Sequence, residues 1–318
     1  MSNAIIRQGE RSVVADNVWS FQAGAVPLAV GLVAGAALAR AWPARLGRAE
    51  TPATPRDWPI AFIHRGGAAV VPEDTIAGFT EGLRYGDGVV ECDVHATLDG
   101  AIVVMHDEHV DRTTNGMGPI ALKTLAEVKQ LDAGYHFPFP GAAEHPFRGQ
   151  GIQVPTLAEV YAAFPDRPVN IEIKRGTRPD VAELVAAVIR AAGAEKRTLV
   201  VSQSLATTRR FRHASHGEVA TGSCTVELLA WWMLSLARLT RVVEPRFQAL
   251  QPPEKYRGLR VVRPGFVQAA HEQDLRVDVW TVDDEESMRR LLSWGVDGIM
   301  TDRPDVLGRL LHGASGSP

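Results

Sequence analysis

Short apolar runs recur along the chain, and several of them carry or end at an ionisable side chain. In chain order these side chains are His64, Glu91, Asp93, His106 and Glu172. Successive residues of a strand face opposite sides of a sheet, so Glu91 and Asp93 share one face. Cys92 and Val94 take the other face, which needs an apolar cover such as a layer of helices. The pattern predicts buried strands that direct acids, bases and metal ligands into one cavity.

Eight apolar runs are predicted to be strands, and helical patterns such as Asp74–Tyr85, Pro179–Ala192 and Asp284–Trp294 lie between them. Strands that alternate with helices indicate a parallel sheet. The predicted strands are Ile60–His64, Val89–Val94, Val169–Lys174, Thr198–Gln203, Glu218–Gly222, Phe247–Leu250, Val277–Val282 and Gly298–Thr301.

Carboxylates that converge in a cavity are costly to bury unless a cation accompanies them, so this set implies a metal. Oxygen ligands with no Cys or His cluster at ligand spacing suit Mg²⁺ or Ca²⁺ better than zinc. The two histidines then suit the roles of acid and base, because the pKa of imidazole lies near neutrality. The alternative is that each group forms a separate structural ion pair or is a satisfied core histidine. Five such residues at strand ends in register disfavour that alternative.

Longer motifs accompany these residues in a fixed order. They are His64-Arg65-Gly66-Gly67, Pro72-Glu73-Asp74-Thr75, Glu91-Cys92-Asp93-Val94, Thr97-Leu98-Asp99-Gly100, His106-Asp107, Arg112-Thr113-Thr114, Leu131-Asp132-Ala133-Gly134, Pro155-Thr156-Leu157, Glu172-Ile173-Lys174, Trp280-Thr281-Val282 and Gly298-Ile299-Met300-Thr301-Asp302. From about residue 60 to residue 305 this series resembles the glycerophosphodiester phosphodiesterase family, of the phospholipase C-like phosphodiesterase superfamily. Small departures occur; Asp74, for example, stands where the family often has Asn.

The resemblance implies an α/β fold, a (β/α)₈ TIM barrel over residues 58–312, which agrees with the eight predicted strands. The run Ile102–His106 follows Val94 too closely for a helix to intervene, and Asp99-Gly100 is a tight-turn signal. We expect a hairpin there that rises past the barrel rim and returns His106 to its mouth. Residues 107–155 are rich in loop signals, with one short helical pattern near Leu122–Leu131, and are interpreted as an insertion over the active-site face.

The resemblance also implies roles for individual residues. His64 and His106 would move protons to and from the nucleophile and the leaving alkoxide. Glu91, Asp93 and Glu172 would hold one divalent cation, Mg²⁺ or Ca²⁺, with Glu73 close to these ligands but not bound to the ion. Which histidine is the base, and whether the nucleophile is water or a hydroxyl of the substrate, stay open.

The substrate contacts implied by the family are Arg65 and Lys174, which would bind phosphate oxygens. Arg65 offers a planar fork, whereas Lys174 is a point charge. Trp280 shares a strand face with Asp278 and Val282. Its ring therefore either lines the site and contacts a ligand or packs in the core. Both interpretations of Trp280 stay open.

Three functions follow as hypotheses. The first is metal-dependent hydrolysis of glycerophosphodiesters to glycerol 3-phosphate and an alcohol. The second is lysophospholipase D action on lysophospholipids. The third, from another class, is a non-catalytic lipid-binding barrel, which the retained histidines and carboxylates disfavour because a binding module needs no such set.

Length and composition indicate that a tail accompanies the barrel domain. The 318 residues, 45% hydrophobic and 22% charged, fit one large domain with an N-terminal tail at residues 1–50. The net charge of −3 gives no indication of nucleic-acid binding. Of the two cysteines, Cys92 is predicted to be buried and Cys224 lies far away in sequence, so no disulfide framework is indicated.

The tail contains a segment without polar side chains from Ala23 to Ala39, flanked by arginines on both sides. Its length is at the lower limit for a membrane-spanning helix, and the arginines after it favour a membrane anchor with the catalytic domain in the cytoplasm. The alternative is export after cleavage at Ala37-Leu38-Ala39. A second apolar stretch, Leu228 to Leu236 with Trp231 and Trp232, is either buried against helices or lies at a membrane interface. The oligomeric state is not indicated.

Overall fold

The computed structural model describes residues 59–138, 144–175 and 178–313. The strands are β1 (Ile60–His64), β2 (Gly88–Ala96), β3 (Ile102–Val104), β4 (Val169–Ile173), β5 (Thr198–Val201), β6 (Ala220–Thr221), β7 (Ala249–Leu250), β8 (Lys255–Tyr256), β9 (Leu259–Arg260), β10 (Arg276–Val279) and β11 (Gly298–Thr301). The helices are α1 (Ile76–Gly82), α2 (Leu125–Val128), α3 (Leu157–Ala163), α4 (Val181–Ala191), α5 (Leu205–Ala214), α6 (Thr225–Leu236), α7 (Pro264–His271), α8 (Glu285–Ser293) and α9 (Pro304–Gly313).

Within the described ranges, eight parallel strands form a barrel in the order β6, β5, β4, β2, β1, β11, β10, β7. A parallel bridge between Gly222 and Ala249 brings the two ends of this sheet together. Helices alternate with the strands around the outside. The predicted (β/α)₈ barrel is therefore confirmed. The predicted strand Val277–Val282 ends earlier, at Val279, and Trp280 continues it only as an isolated parallel bridge with Pro253.

Side chains that alternate along the barrel strands divide between the helix layer and the interior. Cys92, Val94 and Ile171 are completely buried and pack in a core formed with α3 and α4. This confirms that Cys92 is buried. On the opposite face of the same strands, small apolar clusters fill the barrel interior, one of them around Phe62 and Met300. The alternation of side chains along each strand, which the sequence predicts, therefore gives the barrel an apolar face towards the helices. The ionisable groups lie on the other face of the strands.

The hairpin after β2 forms as predicted. Strand β3 pairs antiparallel to β2, with Val94 opposite Val104. The turn is closed by Thr97, whose hydroxyl donates to Asp99 Oδ1 at 2.5 Å, and by Gly100, which has a φ of +86° that favours glycine. The backbone N–H of Met105 then donates to the carbonyl of Asp93 at 2.9 Å. The hairpin thereby sets the next residue, His106, beside the carboxyl end of β2.

The segment after the hairpin forms a small apolar core of its own around Val110, Ile120 and Val128. The helix predicted near Leu122–Leu131 is the single turn α2, which begins at a capping box between Thr124 and Glu127. Apart from a 3₁₀ helix at Ile120–Leu122, the described remainder of the segment is turns and loops, as its composition predicts. Residues 139–143 within it lie outside the described residues.

Helix α6 contains the second apolar stretch. Trp231 is buried and packs edge-on against Phe247, and Trp232 is half-buried. In the part of the chain that the structure describes, no helix is both long enough and apolar enough to cross a membrane. The segment 23–39 and the cleavage motif at 37–39 lie outside the described residues, so the anchor stays a prediction.

Candidate active site

The ionisable side chains that the apolar runs carry meet at the carboxyl ends of the barrel strands. In the strand register, His64 of β1 is opposite Glu91 of β2, and Asp93 is opposite Glu172 of β4. The hairpin brings His106 to the same end of β2. Active sites of this fold form at this end of the barrel, where the loops after the strands come together.

The loop after β1 holds a conformation that is unusual for its residues. Arg65 has a φ of +50°, in the left-handed region that most side chains avoid, and Gly66 follows with a φ of +89°. A Cβ on Gly66 would lie 2.8 Å from the backbone carbon of Gly78, so only glycine lets the loop approach α1 this closely. The backbone N–H of Arg65 donates to Glu91 Oε2 at 3.2 Å, which ties the loop to the site.

His64 is buried, and its Nδ1 lies 2.6 Å from Oδ1 of Asp302, the residue directly after β11. A carboxylate only accepts hydrogen bonds, so Nδ1 carries the proton of the neutral ring. Burial and the charge of Arg65 act to lower the pKa of His64, but Asp302 and Glu91 outweigh them and raise it. The same contact lowers the pKa of Asp302 despite its burial.

His106 is held in the same manner, since its Nδ1 lies 2.6 Å from Oδ1 of Asp107. Arg112 extends this pair. Its guanidinium donates to both oxygens of Asp107, at 2.7 and 3.0 Å, and to both oxygens of Glu73, each at 2.7 Å. Burial alone would raise the pKa of Glu73, but Arg112 and Arg65 hold it below its ordinary value. Glu73 is thus ionised and fixed beside the site.

Two positively charged side chains, those of Arg65 and Lys174, lie among the three carboxylates of the predicted metal site. Arg65 Nε is 3.0 Å from Asp93 Oδ2, and Lys174 Nζ is 3.2 Å from Asp93 Oδ1 and 3.1 Å from Glu172 Oε2. Burial acts to raise the pKa of Asp93, but Lys174 and Arg65 hold it far below its usual range. Glu91 differs, because burial and the charge of Asp93 raise its pKa to about 7.

These side chains fit a hard divalent cation by their chemistry. Glu91, Asp93 and Glu172 supply carboxylate oxygens, the ligands that Mg²⁺ and Ca²⁺ prefer. Burial and the charge of Asp93 disfavour the ionised form of Glu91, and a bound cation would favour it. As the side chains stand, no three His, Cys, Asp or Glu residues in the described ranges are close enough together to hold an ion. The salt bridges of Lys174 and Arg65 supply positive charge in this arrangement.

Asp74 is a buried carboxyl behind the site with a φ of +55°. Within the described part of the chain neither of its oxygens has a hydrogen-bond partner. Burial, followed by the charge of Asp93, raises its pKa well above the ordinary value. The raised pKa favours the neutral form of Asp74, which has the same charge as the Asn often found here in the family.

Trp280 lies at the mouth of the barrel interior and is half-buried. Its ring packs against a cluster that includes Phe62 and Met300, and its Nε1 donates to the carbonyl of Gln251 at 2.6 Å. The structure therefore shows the packing of Trp280 in the barrel interior, one of its two predicted interpretations. A contact between the exposed edge of the ring and a ligand stays a prediction.

Sequence reasoning placed Asp302, Asp107 and Arg112 in family motifs but gave them no role. The structure shows that the first two hold the histidines and that the third connects Asp107 to Glu73. A usable signal existed for Asp107, which is adjacent to His106 in sequence. Asp302 gives no such signal, because 238 residues separate it from His64.

Comparisons with known proteins identify the family of this chain. A model of the glycerophosphoryl diester phosphodiesterase family matches residues 64–306. A glycerophosphodiester phosphodiesterase of Caldanaerobacter subterraneus subsp. tengcongensis is 35% identical over 261 residues, covering 80% of this chain and 98% of the relative. One from Bacillus subtilis is 32% identical over 275 residues, covering 80% of this chain and 87% of the relative. The crystal structure of a glycerophosphodiester phosphodiesterase from Agrobacterium tumefaciens gives a TM-score of 0.62 at 28% identity, covering 78% of this chain and 99% of that one. The chain therefore belongs to the glycerophosphoryl diester phosphodiesterase family and is a phosphoric diester hydrolase.

Proposed function

We propose that the enzyme hydrolyses glycerophosphodiesters to glycerol 3-phosphate and an alcohol by acid–base catalysis with His64 and His106 at a carboxylate-bound divalent cation. The observation that carries this proposal is the paired geometry of the two histidines. Each has Nδ1 on a carboxylate, and both lie at the end of the barrel where buried carboxylates and cations meet.

The histidine pairs define which atoms move protons. With Nδ1 engaged by Asp302 or Asp107, each ring keeps Nε2 for proton exchange. One imidazole accepts the proton of the attacking oxygen, and the other donates a proton to the leaving alkoxide. The carboxylate partners hold the ring orientation in both steps and stabilise whichever imidazole is protonated.

Positive charge around the phosphodiester is the second requirement. Burial acts to lower the pKa values of Arg65 and Lys174, but neighbouring carboxylates raise both, so the two side chains remain charged at neutral pH. The guanidinium of Arg65 suits two phosphate oxygens, and Lys174 supplies a point charge. A divalent cation held by Glu91, Asp93 and Glu172 would add charge that stabilises the oxygens around phosphorus in the transition state.

The direct test is release of glycerol 3-phosphate from glycerophosphocholine by the full chain. Activity is expected to vanish after chelation and to return with Mg²⁺ or Ca²⁺. His64→Ala, His106→Ala and Glu91→Ala are each expected to lower kcat by about 100-fold or more. Glu183→Ala, which removes an exposed carboxylate from the outer surface of α4, serves as the control and should retain activity.

Calorimetric titration of Mg²⁺ or Ca²⁺ into the chelated protein provides a readout that is independent of turnover. Binding that Glu91→Ala weakens and Glu183→Ala leaves intact supports the cation site. Full activity in the chelated protein would contradict the metal dependence, and full activity in both histidine variants would contradict the acid–base assignment.

Lysophospholipase D action is the second candidate, and one feature favours it. Met117 and Leu122 are strongly exposed, 78% and 70%, in the segment that also supplies Arg112, and they could contact an acyl chain. A parallel assay with lysophosphatidylcholine distinguishes the two candidates. Turnover of the lysolipid that Met117→Ser and Leu122→Ser both reduce, with glycerophosphocholine turnover unchanged, would support lysolipids as substrates.

A further inference from the structure

Large apolar side chains are exposed together in one short stretch after helix α6. Leu236 and Leu239 are each 42% exposed and Val242 is 65% exposed. Two exposed arginines, Arg238 and Arg241, lie between them in sequence. We refer to these five residues as the basic–apolar patch. Apolar side chains interleaved with arginine are typical of surfaces that rest on an anionic lipid bilayer.

The patch lies on the face of the barrel opposite the active site. It belongs to the connection from α6 to β7, and connections from a helix to the next strand lie at the amino ends of the strands. The hydrogen bond from Gln273 Nε2 to the carbonyl of Thr240, at 3.0 Å, joins this connection to the corresponding one before β10.

The first barrel strand, β1, also begins at this face. Arg241 of the patch pairs with Glu272 at 3.1 Å, and the next residue towards the N-terminus, His271, pairs with Asp297 at 2.8 Å. The carbonyl of Asp297 accepts a hydrogen bond from the backbone N–H of Ile60, the first residue of β1. A continuous line of contacts therefore joins the patch to the start of β1, which residues 1–58 precede in sequence.

The tail has the same chemistry as the patch. Residues 23–39 carry no polar side chain, and Arg40, Arg45 and Arg48 follow them. The paired tryptophans of α6 contribute little exposed surface, because Trp231 is buried and Trp232 is half-buried with Arg263 over its ring. The residues left for a membrane are thus those that follow the tryptophans.

We propose that the basic–apolar patch rests on a phospholipid bilayer with anionic headgroups, so that the catalytic face points away from that bilayer. The apolar residues enter the interface, and the arginines approach the phosphates. In this orientation the active site takes its substrate from the aqueous phase, which favours water-soluble glycerophosphodiesters over lysolipids held in the same bilayer. This consequence rests on the proposed function, whereas the docking itself does not.

The orientation can be measured with the full chain on vesicles of equal parts phosphatidylcholine and phosphatidylglycerol. A fluorophore is attached at Glu244→Cys, beside the patch, or at Leu122→Cys, on the catalytic side. Cys92 and Cys224 are buried and protected from the label. Spin-labelled lipids are expected to quench the label at residue 244 and not that at residue 122. Quenching at residue 122 alone, or equal quenching of both, overturns the proposal.

A second set of variants tests the patch itself. Leu239→Glu with Val242→Glu should abolish quenching at residue 244, and Arg238→Glu with Arg241→Glu should weaken it. Leu259→Glu is the control, because Leu259 is 52% exposed but lies in the β8–β9 ribbon on the catalytic side. Hydrolysis of glycerophosphocholine in detergent-free solution should be unchanged in every variant, which separates failure of docking from failure of the proposed function.

Two results of this set count against the lipid surface. One is quenching at residue 244 that the double glutamate variant retains. The other is a dimer, detected by sedimentation without vesicles, that the double glutamate variant disrupts while quenching stays the same. The latter result would assign the patch to contact with a second copy of the chain.

Discussion

Among single residues, the two histidines of the candidate site share one feature, a close contact between Nδ1 and a carboxylate. Asp302 and Asp107 approach Nδ1 of their histidines to 2.6 Å in each case. Such short contacts fix the tautomer and the direction of the ring. In the proposed mechanism the remaining nitrogen of each ring exchanges a proton with the substrate without rearrangement.

Replacing Asp302 by Asn tests this interpretation. We expect the pKa of His64 to fall, because Asp302 is the first group that raises it, and kcat to fall by about 10- to 100-fold. The titration of His64 is followed by nuclear magnetic resonance in chelated protein, with Asp166→Asn at an exposed site as the control. An unchanged titration of His64 would show that Asp302 does not set its protonation.

The pH dependence of stability has a defined sign for this pair. The raised pKa of His64 stabilises the folded state below its unfolded pKa of about 6.5, and that contribution is lost as pH rises through the folded pKa. The lowered pKa of Asp302 contributes above its unfolded value of about 3.9 and is lost as pH falls through the folded one. Asp302→Asn should therefore destabilise the protein most between about pH 4 and pH 6.5. Chemical unfolding across this range and at pH values above it measures the difference.

Much of the site could be predicted from residue patterns, within clear limits. Strand parity places Glu91 and Asp93 on the interior face, as observed. The alternation of side chains along a strand does not predict which carboxylate, distant in sequence, contacts a histidine. The contact between His64 and Asp302 could therefore be identified only from the three-dimensional structure. Nor does this alternation predict that Lys174 and Arg65 contact the carboxylates directly, because side-chain rotamers decide those contacts.

At the scale of elements, the segment after the hairpin is attached to the catalytic site through Arg112. Arg112→Lys keeps the charge but loses the planar fork that engages Glu73 and Asp107 together. Loss of these charge-assisted bonds, worth about 1.5–3 kcal/mol each, should lower kcat by about 10- to 100-fold, with less change in KM. Steady-state kinetics with glycerophosphocholine provide the measurement. Arg178→Lys, at the other side of the hairpin, is the control, and equal losses in both variants would indicate a general loosening of the segment.

Helix α6 offers a test of packing. Trp231 is 2% exposed, and its ring meets Phe247 with centroids 6.4 Å apart. Trp231→Ala should lower the free energy of unfolding by about 3–5 kcal/mol because it leaves a large cavity. Trp232→Ala, at a half-buried position, should cost clearly less. Denaturant unfolding of both variants measures the loss in the free energy of unfolding. Equal losses would contradict the difference in burial between Trp231 and Trp232.

The positions of the strands could be predicted from the sequence better than their lengths. Every predicted barrel strand is present, but β6 and β7 are only two residues long. Apolar runs mark buried residues, whereas strand bounds depend on hydrogen bonds to neighbours, which the runs do not encode. The helix predicted near Leu122–Leu131 shortens to one turn, in which Leu125 and Val128 pack in a loop-rich core with Leu131, whereas Leu122 is exposed.

At the scale of the whole molecule, closure of the barrel depends on a close approach at Gly222. A Cβ there would overlap Cγ1 of Val201 on the neighbouring strand, at the bridge that joins β6 to β7. Gly222→Ala should therefore destabilise the protein by about 1–3 kcal/mol. Val201→Ala removes the obstructing methyl group, so adding Gly222→Ala to it should cost much less. Chemical unfolding of the single and double variants measures the coupling, and additive effects would show that the approach at Gly222 is not limiting.

The two faces of the barrel have separate tasks. The carboxyl ends of the strands carry the histidines and carboxylates, and the amino ends carry the basic–apolar patch and the entry of the N-terminal tail. This division follows from chain direction in a parallel barrel. Residues at one end of the barrel can therefore be substituted without altering the contacts at the other end.

The pair formed by His64 and Asp302 has a consequence for biosynthesis. His64 closes the first barrel strand and Asp302 follows the last, and these strands are neighbours with Ile63 opposite Thr301. A ribosome releases the first of these residues long before the second. The growing polypeptide therefore lacks one complete histidine–carboxylate pair until its final strand has left the exit tunnel. If His64 is catalytic as proposed, hydrolytic activity begins only when the newly made barrel has closed.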